Sequence, residues 1–249
     1  MSKIELSNVC FTYPGSSEPV FDHFSVTLDT DWKTGLIGRN GRGKTTLLTL
    51  LSKTNLPDSG QILYDDTEAA DPGHASCGPS RRMAFVFQEP RLMPWLTVEG
   101  NIGFGLSRKE KKDSREHIRK IILAAGLEGF EKAYPSQLSG GMKQRTALAR
   151  ALAFRPSFIM MDEPFAALDY FTREQMQQEL LRVQEAEHCS ILFVTHSIDE
   201  ALLLADQIVI LKQGTVKALY PVTAPKQDRN LLDPEFISLK KNLLKDLDQ

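Results

Sequence analysis

Gly35-Leu36-Ile37 runs directly into Gly38-Arg39-Asn40-Gly41-Arg42-Gly43-Lys44-Thr45, and the chain continues from Thr46 to Leu51 as an apolar stretch of helical character. A short apolar strand, a glycine-rich turn ending in Lys-Thr and a helix make up the G-x-x-x-x-G-K-[ST] arrangement of a phosphate-binding loop. Gly38, Gly41 and Gly43 let backbone N–H groups turn inward around phosphate oxygens, and the N-terminus of the following helix adds partial positive charge. Lys44 has the charge and reach to bridge two phosphates. A loop of this kind stands at the C-terminal end of a strand in an open α/β sheet. The stretch therefore sets the fold class as α/β, of the P-loop type.

Outward from that loop, the hydrophobic pattern agrees. Residues 3–12 alternate, with Ile4, Leu6, Val9 and Phe11 apolar, and end at Tyr13-Pro14-Gly15; residues 20–28 repeat the alternation with Val20, Phe24, Val26 and Leu28. These predict an N-terminal antiparallel layer. Residues 65–82 are rich in Asp, Gly, Pro, Ser and Ala and read as an exposed loop. Met83 to Phe87, 158–161, 191–194 and 208–211 are short, wholly apolar runs, as buried parallel strands are. The last leads through Gln213-Gly214 into a hairpin. Between Gln88 and the strand at 158 the periodicity turns helical. Asp113 and Glu116 read as a capping-box start there, with Gly126 as the stop of that helix. The expected molecule is a single domain over 1–249, with a mostly parallel core sheet, a helical subdomain inserted at about 90–156 and a polar, weakly helical tail over 221–249.

Composition excludes several classes. The chain has 249 residues, 41% of them hydrophobic and 25% charged, which is ordinary for a globular protein with a real core. The net charge of −2 gives no overall attraction to nucleic acid. The basic run Arg108-Lys109-Glu110-Lys111-Lys112 reads as a solvated helix face. Cys10, Cys77 and Cys189 are odd in number and scattered, so neither a disulfide framework nor a metal spacing follows, and a reducing cytosol is expected. The opening Met-Ser-Lys-Ile-Glu-Leu carries no apolar signal region, and no apolar run approaches the length of a membrane span. Any membrane role is expected to be peripheral, through a partner.

Three further stretches carry chemistry. Phe158-Ile159-Met160-Met161-Asp162-Glu163 delivers two carboxylates at the C-terminal end of a buried strand, where α/β sheets bind ligands. His196 follows the strand at 191–195, and Ser197-Ile198-Asp199-Glu200 reads as a capping box opening a helix. His23, His74, His117 and His188 read as packed or capping residues. Finally, Leu138-Ser139-Gly140-Gly141-Met142-Lys143-Gln144-Arg145 precedes an apolar helix from about Met142 to Phe154, so the N–H groups at Ser139, Gly140 and Gly141 form a second anion site.

With both loops present in this order, the chain resembles the ATP-binding subunits of ABC transporters. The resemblance implies ATP and Mg²⁺ as ligands. Gly38, Arg39, Asn40, Gly41, Arg42, Gly43, Lys44, Thr45 and Thr46 would cradle the phosphates; Thr45, Gln88 and Asp162 would hold Mg²⁺. Glu163 would orient the attacking water, His196 would contact the γ-phosphate, and Gln88 would sense it. Asp169, closing Phe165-Ala166-Ala167-Leu168-Asp169, matches the family's D-loop aspartate. Tyr13 stands where the family keeps an aromatic ring against adenine, the alternative being a core aromatic. The implied assembly is head-to-tail: Ser139, Gly140 and Gly141 close over ATP held by a second copy, or by a homologous ATPase.

Finer features point two ways. Gln88-Glu89-Pro90-Arg91-Leu92-Met93-Pro94-Trp95 and Thr172-Arg173-Glu174 are similar to segments of importer ATPases for nitrate, sulfonate and taurine. Leu92, Met93 and Trp95 then line the groove that receives a helix of the membrane subunit, or else pack the helical insertion internally. This implies an ATPase energising import of a small solute (nitrate, sulfonate, taurine or a vitamin-precursor-like compound). Its partners would be transmembrane permease subunits and a solute-binding protein, with no nucleic acid, and it would sit at the cytoplasmic face of the membrane. Asp29 to Lys33 and Gly35 to Gly43 instead look more like cytosolic, ribosome-associated ABC proteins, leaving a soluble ATPase acting on ribosomes or nucleic acid as the alternative. Those proteins join two modules by a charged linker; here there is one module and no such linker.

Overall fold

The computed structural model describes residues 3–29, 32–64, 83–187, 189–225 and 229–248. The loop expected over 65–82, with His74 and Cys77, lies outside the described residues, as does His188. The chain divides into two compact units, Met1–Arg81 with Ser190–Gln249, and Arg82–Cys189.

The first unit holds two sheets. β1 (Lys3–Phe11) pairs antiparallel with β2 (Phe21–Asp29) and with β4 (Ser59–Tyr64), in the order β2-β1-β4. Ile4 and Leu6, then Val9 and Phe11, are buried in two period-two runs, and a register shift between Leu6 and Val9, with Asn8 at φ +51°, changes the phase between them. β3 (Lys33–Ile37) lies between β7 (Ser190–Val194) and β8 (Gln207–Lys212), parallel to both, with Gly35 opposite Phe193 on one side and Ile208 on the other. All five residues of β3 and of β7 are buried; their C-terminal parts are apolar, while Lys33, Thr34 and Ser190 are buried polar residues at their starts. β9 (Thr215–Pro221) returns antiparallel beside β8, through the expected turn at Gln213-Gly214. α1 (Lys44–Leu51) buries Leu47, Leu48, Leu50 and Leu51.

α7 (Ile198–Leu204) packs on β3, and the tail forms a helix, α8 (Pro234–Asp248), against α7 and β8. The tail is thus firmer than its polarity suggests. Phe236 and Leu243 are buried, Lys240 Nζ meets Asp199 Oδ1 at 2.6 Å, and Tyr220 donates to Asp246 Oδ2 at 2.6 Å. Arg229 is the anchor before it. Its guanidinium donates to the carbonyls of Leu202, Leu203 and Ala205 at 3.0, 3.0 and 2.7 Å, satisfying acceptors that the end of α7 leaves unpaired. Arg229 also faces Asp206, which pairs with buried Lys33 at 2.9 Å.

The second unit contains β5 (Met83–Val86) and β6 (Phe158–Asp162), a parallel pair with Phe85 opposite Met160. It also contains α2 (Val98–Ile102), α3 (Arg108–Asp113), α4 (Arg115–Ala124), α5 (Gly140–Ala153) and α6 (Tyr170–Glu187). It is wider than the helical insertion expected over 90–156. The capping box expected at Asp113 and Glu116 stands earlier: Ser107 and Glu110 form it reciprocally and open α3, while Asp113 is the last residue of α3 and α4 starts without a side-chain cap. The Ser107 hydroxyl, on extended backbone, accepts from Glu110 N–H at the start of α3, whereas Asp113, already helical, is not placed to cap Glu116 N–H. The stop at Gly126 is as expected. Gly126 takes φ +59°, its N–H reaches Leu123 O, and Leu127 N–H reaches Ile122 O at 3.0 Å, a Schellman closure.

Candidate functional site

The site residues divide between the two units. In the first, the phosphate loop leaves the buried end of β3 and re-enters as α1. Gly41 and Gly43 take φ +74° and +91°, which L-residues adopt at a cost of roughly 1–2 kcal/mol. A Cβ at Gly38 would meet the Leu211 carbonyl at 2.5 Å, whereas one at Gly41 would meet nothing within 4 Å. The loop is therefore packed tightly at its base and open at its crown. α1 has no side-chain cap and no acid in its first turn, so its leading N–H groups and dipole remain suited to an anion. Lys44 is buried and its ammonium donates to Gly38 O at 2.8 Å and Arg39 O at 3.1 Å, folded across the loop it would serve.

Two other residues converge on that loop. Tyr13 is part-exposed, edge-on to Phe11 with centroids 4.9 Å apart, and its hydroxyl lies 3.1 Å from Thr46 Oγ1. It is not a core aromatic. His196 is exposed just past β7, and Thr195 N–H donates to Leu36 O at 3.2 Å. Parallel pairing of β3 with β7 thus places His196 at the same strand end as the loop. Ser197 caps α7 by accepting from Glu200 N–H, the first half of the expected capping box, while its own N–H goes to Thr195 Oγ1 rather than to the Glu200 carboxylate. The Glu200 carboxylate, buried, accepts from the Thr195 hydroxyl at 2.5 Å, and that hydroxyl accepts from Ser197 N–H at 3.0 Å. Glu200 thereby braces the turn carrying His196, a role its capping-box position alone does not reveal.

In the second unit, parallel β5 and β6 end side by side, with Val86 opposite Met161. Asp162 is buried at the end of β6. Glu163 follows in the left-handed region at φ +47°, and Gln88 Nε2 donates to its Oε2 at 3.4 Å. A glutamate at positive φ is uncommon, and such strain concentrates at functional positions. Ser139 caps α5 by accepting from Met142 N–H at 3.3 Å, so the helix starts at Gly140, two residues before the expected Met142. Ser139 and Gly140 are exposed, and Gly141 packs near Ala167 O, beside the turn leading to Asp169. Hydrogen bonds from Thr172, helped by Arg145, hold the Asp169 carboxyl below its usual pKa.

The segment after Gln88 is pinned by side chains that the sequence reading missed. Arg150 donates to Pro90 O and Arg91 O at 3.1 and 3.0 Å, and Gln144 reaches the carbonyl of Phe87, just before Gln88, at 3.5 Å. Asn101, fully buried, accepts from Met93 N–H at 2.8 Å and donates to Met93, Leu96 and Thr97 carbonyls. Polar residues at buried helix positions are the signal that could have found them. The result holds Trp95 outward, 68% exposed, with Leu92 and Met93 half-buried. Nearby, Thr97, Gly100, Arg115, Ile118, Ile122 and Leu123 border a cavity of about 850 Å³.

The family model for ABC transporters matches residues 21–166. The taurine import ATP-binding protein of Chromobacterium violaceum is 38% identical over 99% of this chain and 96% of its own length. The aliphatic sulfonates import ATP-binding protein of Bacillus cereus is 37% identical over 92% of this chain and 89% of its own. Among solved structures, a dimeric ABC transporter cassette superposes with TM-score 0.76 at 30% identity, covering 89% of this chain and all of that one. A dimeric cassette in a post-hydrolysis state bound to ADP and phosphate gives 0.74 at 28% identity, with the same coverage. The chain belongs to the ABC transporter family, as an ATP-binding member that hydrolyses ATP. Its fold is that of the ABC-type P-loop NTPases. The relatives set aside the ribosome or nucleic-acid alternative suggested by residues 29–43.

Proposed function

We propose that this chain is the ATPase subunit of an importer for a small sulfonate-like or related anionic solute, working as a head-to-tail pair on transmembrane permease subunits that a solute-binding protein feeds. The observation that carries this reading is near-full-length identity to taurine and aliphatic sulfonates import ATP-binding proteins. No helix among the described residues is long and apolar enough to cross a membrane, so attachment at the cytoplasmic face falls to the permease. Exposed Trp95, on a turn held by Asn101 beside the cavity, suits such docking.

In this reading the N–H groups of 38–46 and Lys44 hold the ATP phosphates, and Tyr13 offers its ring to adenine. Thr45, Asp162 and Gln88 each offer a side-chain oxygen of the kind Mg²⁺ takes, and would hold the ion. The ion supplies charge neutralisation on the phosphates. Glu163 orients and takes a proton from the attacking water, and His196 meets the γ-phosphate. Ser139, Gly140 and Gly141 of one copy, with Asp169, complete the site of the other. The test is isolation of the chain from its native membrane. A co-purifying permease whose reconstituted ATPase rises with a sulfonate and its binding protein supports the assignment. Co-purification with ribosomes and no membrane protein overturns it.

A further inference from the structure

A separate cluster lies on the solvent face of the N-terminal layer. Between the pairs Val9–Phe24 and Phe11–Phe21 the register of β1 and β2 shifts, so Cys10 faces two residues, Asp22 and His23. This is a β-bulge, with His23 at φ +50°. One thiol, one carboxylate and one imidazole are thereby turned to a common point, with ligating atoms all within 4.8 Å of one another. Cys10 Sγ lies 3.9 Å from Asp22 Oδ1, which lies 3.8 Å from His23 Nε2.

From this geometry we infer that Cys10, Asp22 and His23 form a three-ligand site for a divalent transition metal of the zinc class, with its fourth position open to water. Tetrahedral Zn²⁺ takes sulfur at about 2.3 Å and nitrogen or oxygen at about 2.0–2.2 Å, which sets ligand separations at roughly 3.3–3.6 Å. The Cys10–Asp22 and Asp22–His23 separations exceed these by a few tenths of an ångström, and the Cys10–His23 separation lies within 4.8 Å. Both the Asp22 and His23 side chains are 74% exposed, so small χ rotations close the gap without disturbing the core. The mixed sulfur, nitrogen and oxygen set favours zinc or cobalt over Mg²⁺, which separates this site chemically from the ATP site. It goes beyond the import reading and stands or falls independently of it.

The experiment is titration of the nucleotide-free chain with Co²⁺, in a phosphine reductant, followed by absorption. The expected result is one equivalent bound with a thiolate-to-cobalt charge-transfer band, displaced by Zn²⁺ and absent in Cys10→Ser. Asp22→Asn and His23→Ala, at exposed positions, should each weaken uptake by more than the ~10-fold that losing an outer-shell partner costs. Zn²⁺ should also raise the Tm of the parent chain but not of Cys10→Ser. A band that survives Cys10→Ser places the metal on Cys77 or Cys189 and overturns the site. So does the absence of a band, or uptake indifferent to Asp22 and His23.

Discussion

Glu163 shows what a single residue contributes here. It follows buried Asp162, takes an uncommon left-handed backbone, and receives the Gln88 amide, so its carboxylate is held by the fold rather than by solvent. Glu163→Gln is expected to keep ATP affinity and to lower turnover about 10²-fold or more, the range of a lost general base. Lys44→Ala is expected instead to weaken nucleotide binding itself. Binding assays beside steady-state hydrolysis separate the two, and parent-like turnover in the glutamine variant removes Glu163 from the base role. Glu200 acts one step further back, as a positioning residue. Glu200→Ala should lower kcat with little change in the KM for ATP, because the turn bearing His196 loses its brace. Glu200→Gln retains an acceptor for the Thr195 hydroxyl and should restore most of the rate. Equal losses in both variants that track a fall in Tm would reduce Glu200 to a stabilising contact. The positions of Lys44 at the start of α1, of Asp162 and Glu163 at the end of β6 and of His196 just past β7 were legible in the sequence, because apolar runs and the glycine turn mark those ends. The brace was not, since a glutamate three residues into a helix looks the same whether it caps or reaches back.

At the scale of elements, the segment from Pro90 to Thr97 has no regular structure of its own, yet Arg150 and Asn101 fix its carbonyls from neighbouring helices, and Gln144 reaches the Phe87 carbonyl just before it. Trp95 therefore contributes little to holding the turn. Trp95→Ala should leave the isolated chain's Tm and ATP affinity near those of the parent while weakening retention of the permease in a detergent pull-down. Truncating a large aromatic anchor typically costs ~2 kcal/mol or more at an interface. An unfolded Trp95→Ala chain would place Trp95 in the core and end the docking assignment. Periodicity located most elements well, and the Schellman stop at Gly126 was readable because only a left-handed residue ends a helix that way. β4 was not foreseen. Ser59 to Tyr64 is a partly exposed edge strand, so no apolar alternation marks it. α8 was underrated for a related reason: its polar residues dominate the pattern, while two buried side chains and the Arg229 anchor supply its packing.

For the whole molecule, the exposed cap at Ser139 and Gly140 presents N–H groups with nothing built over Gly140, as expected of a surface completed by a second copy. Specific ATPase activity should rise with protein concentration, and Ser139→Arg should abolish it while leaving ATP binding intact. Full specific activity in a dilute monomer would sink the shared site. The sequence by itself determined the P-loop class and the family, and it singled out the candidate reacting groups, because glycine turns, strand-end carboxylates and helix-start amides are local chemistry with fixed spacing. Tertiary structure decided what spacing cannot carry: that Tyr13 reaches Thr46, that Gln88 meets Glu163 across 75 positions of chain, that Trp95 faces outward, and that one bulge turns Cys10, Asp22 and His23 to a common point. Those contacts join residues from different strands and helices, and only strand pairing and packing bring such residues together.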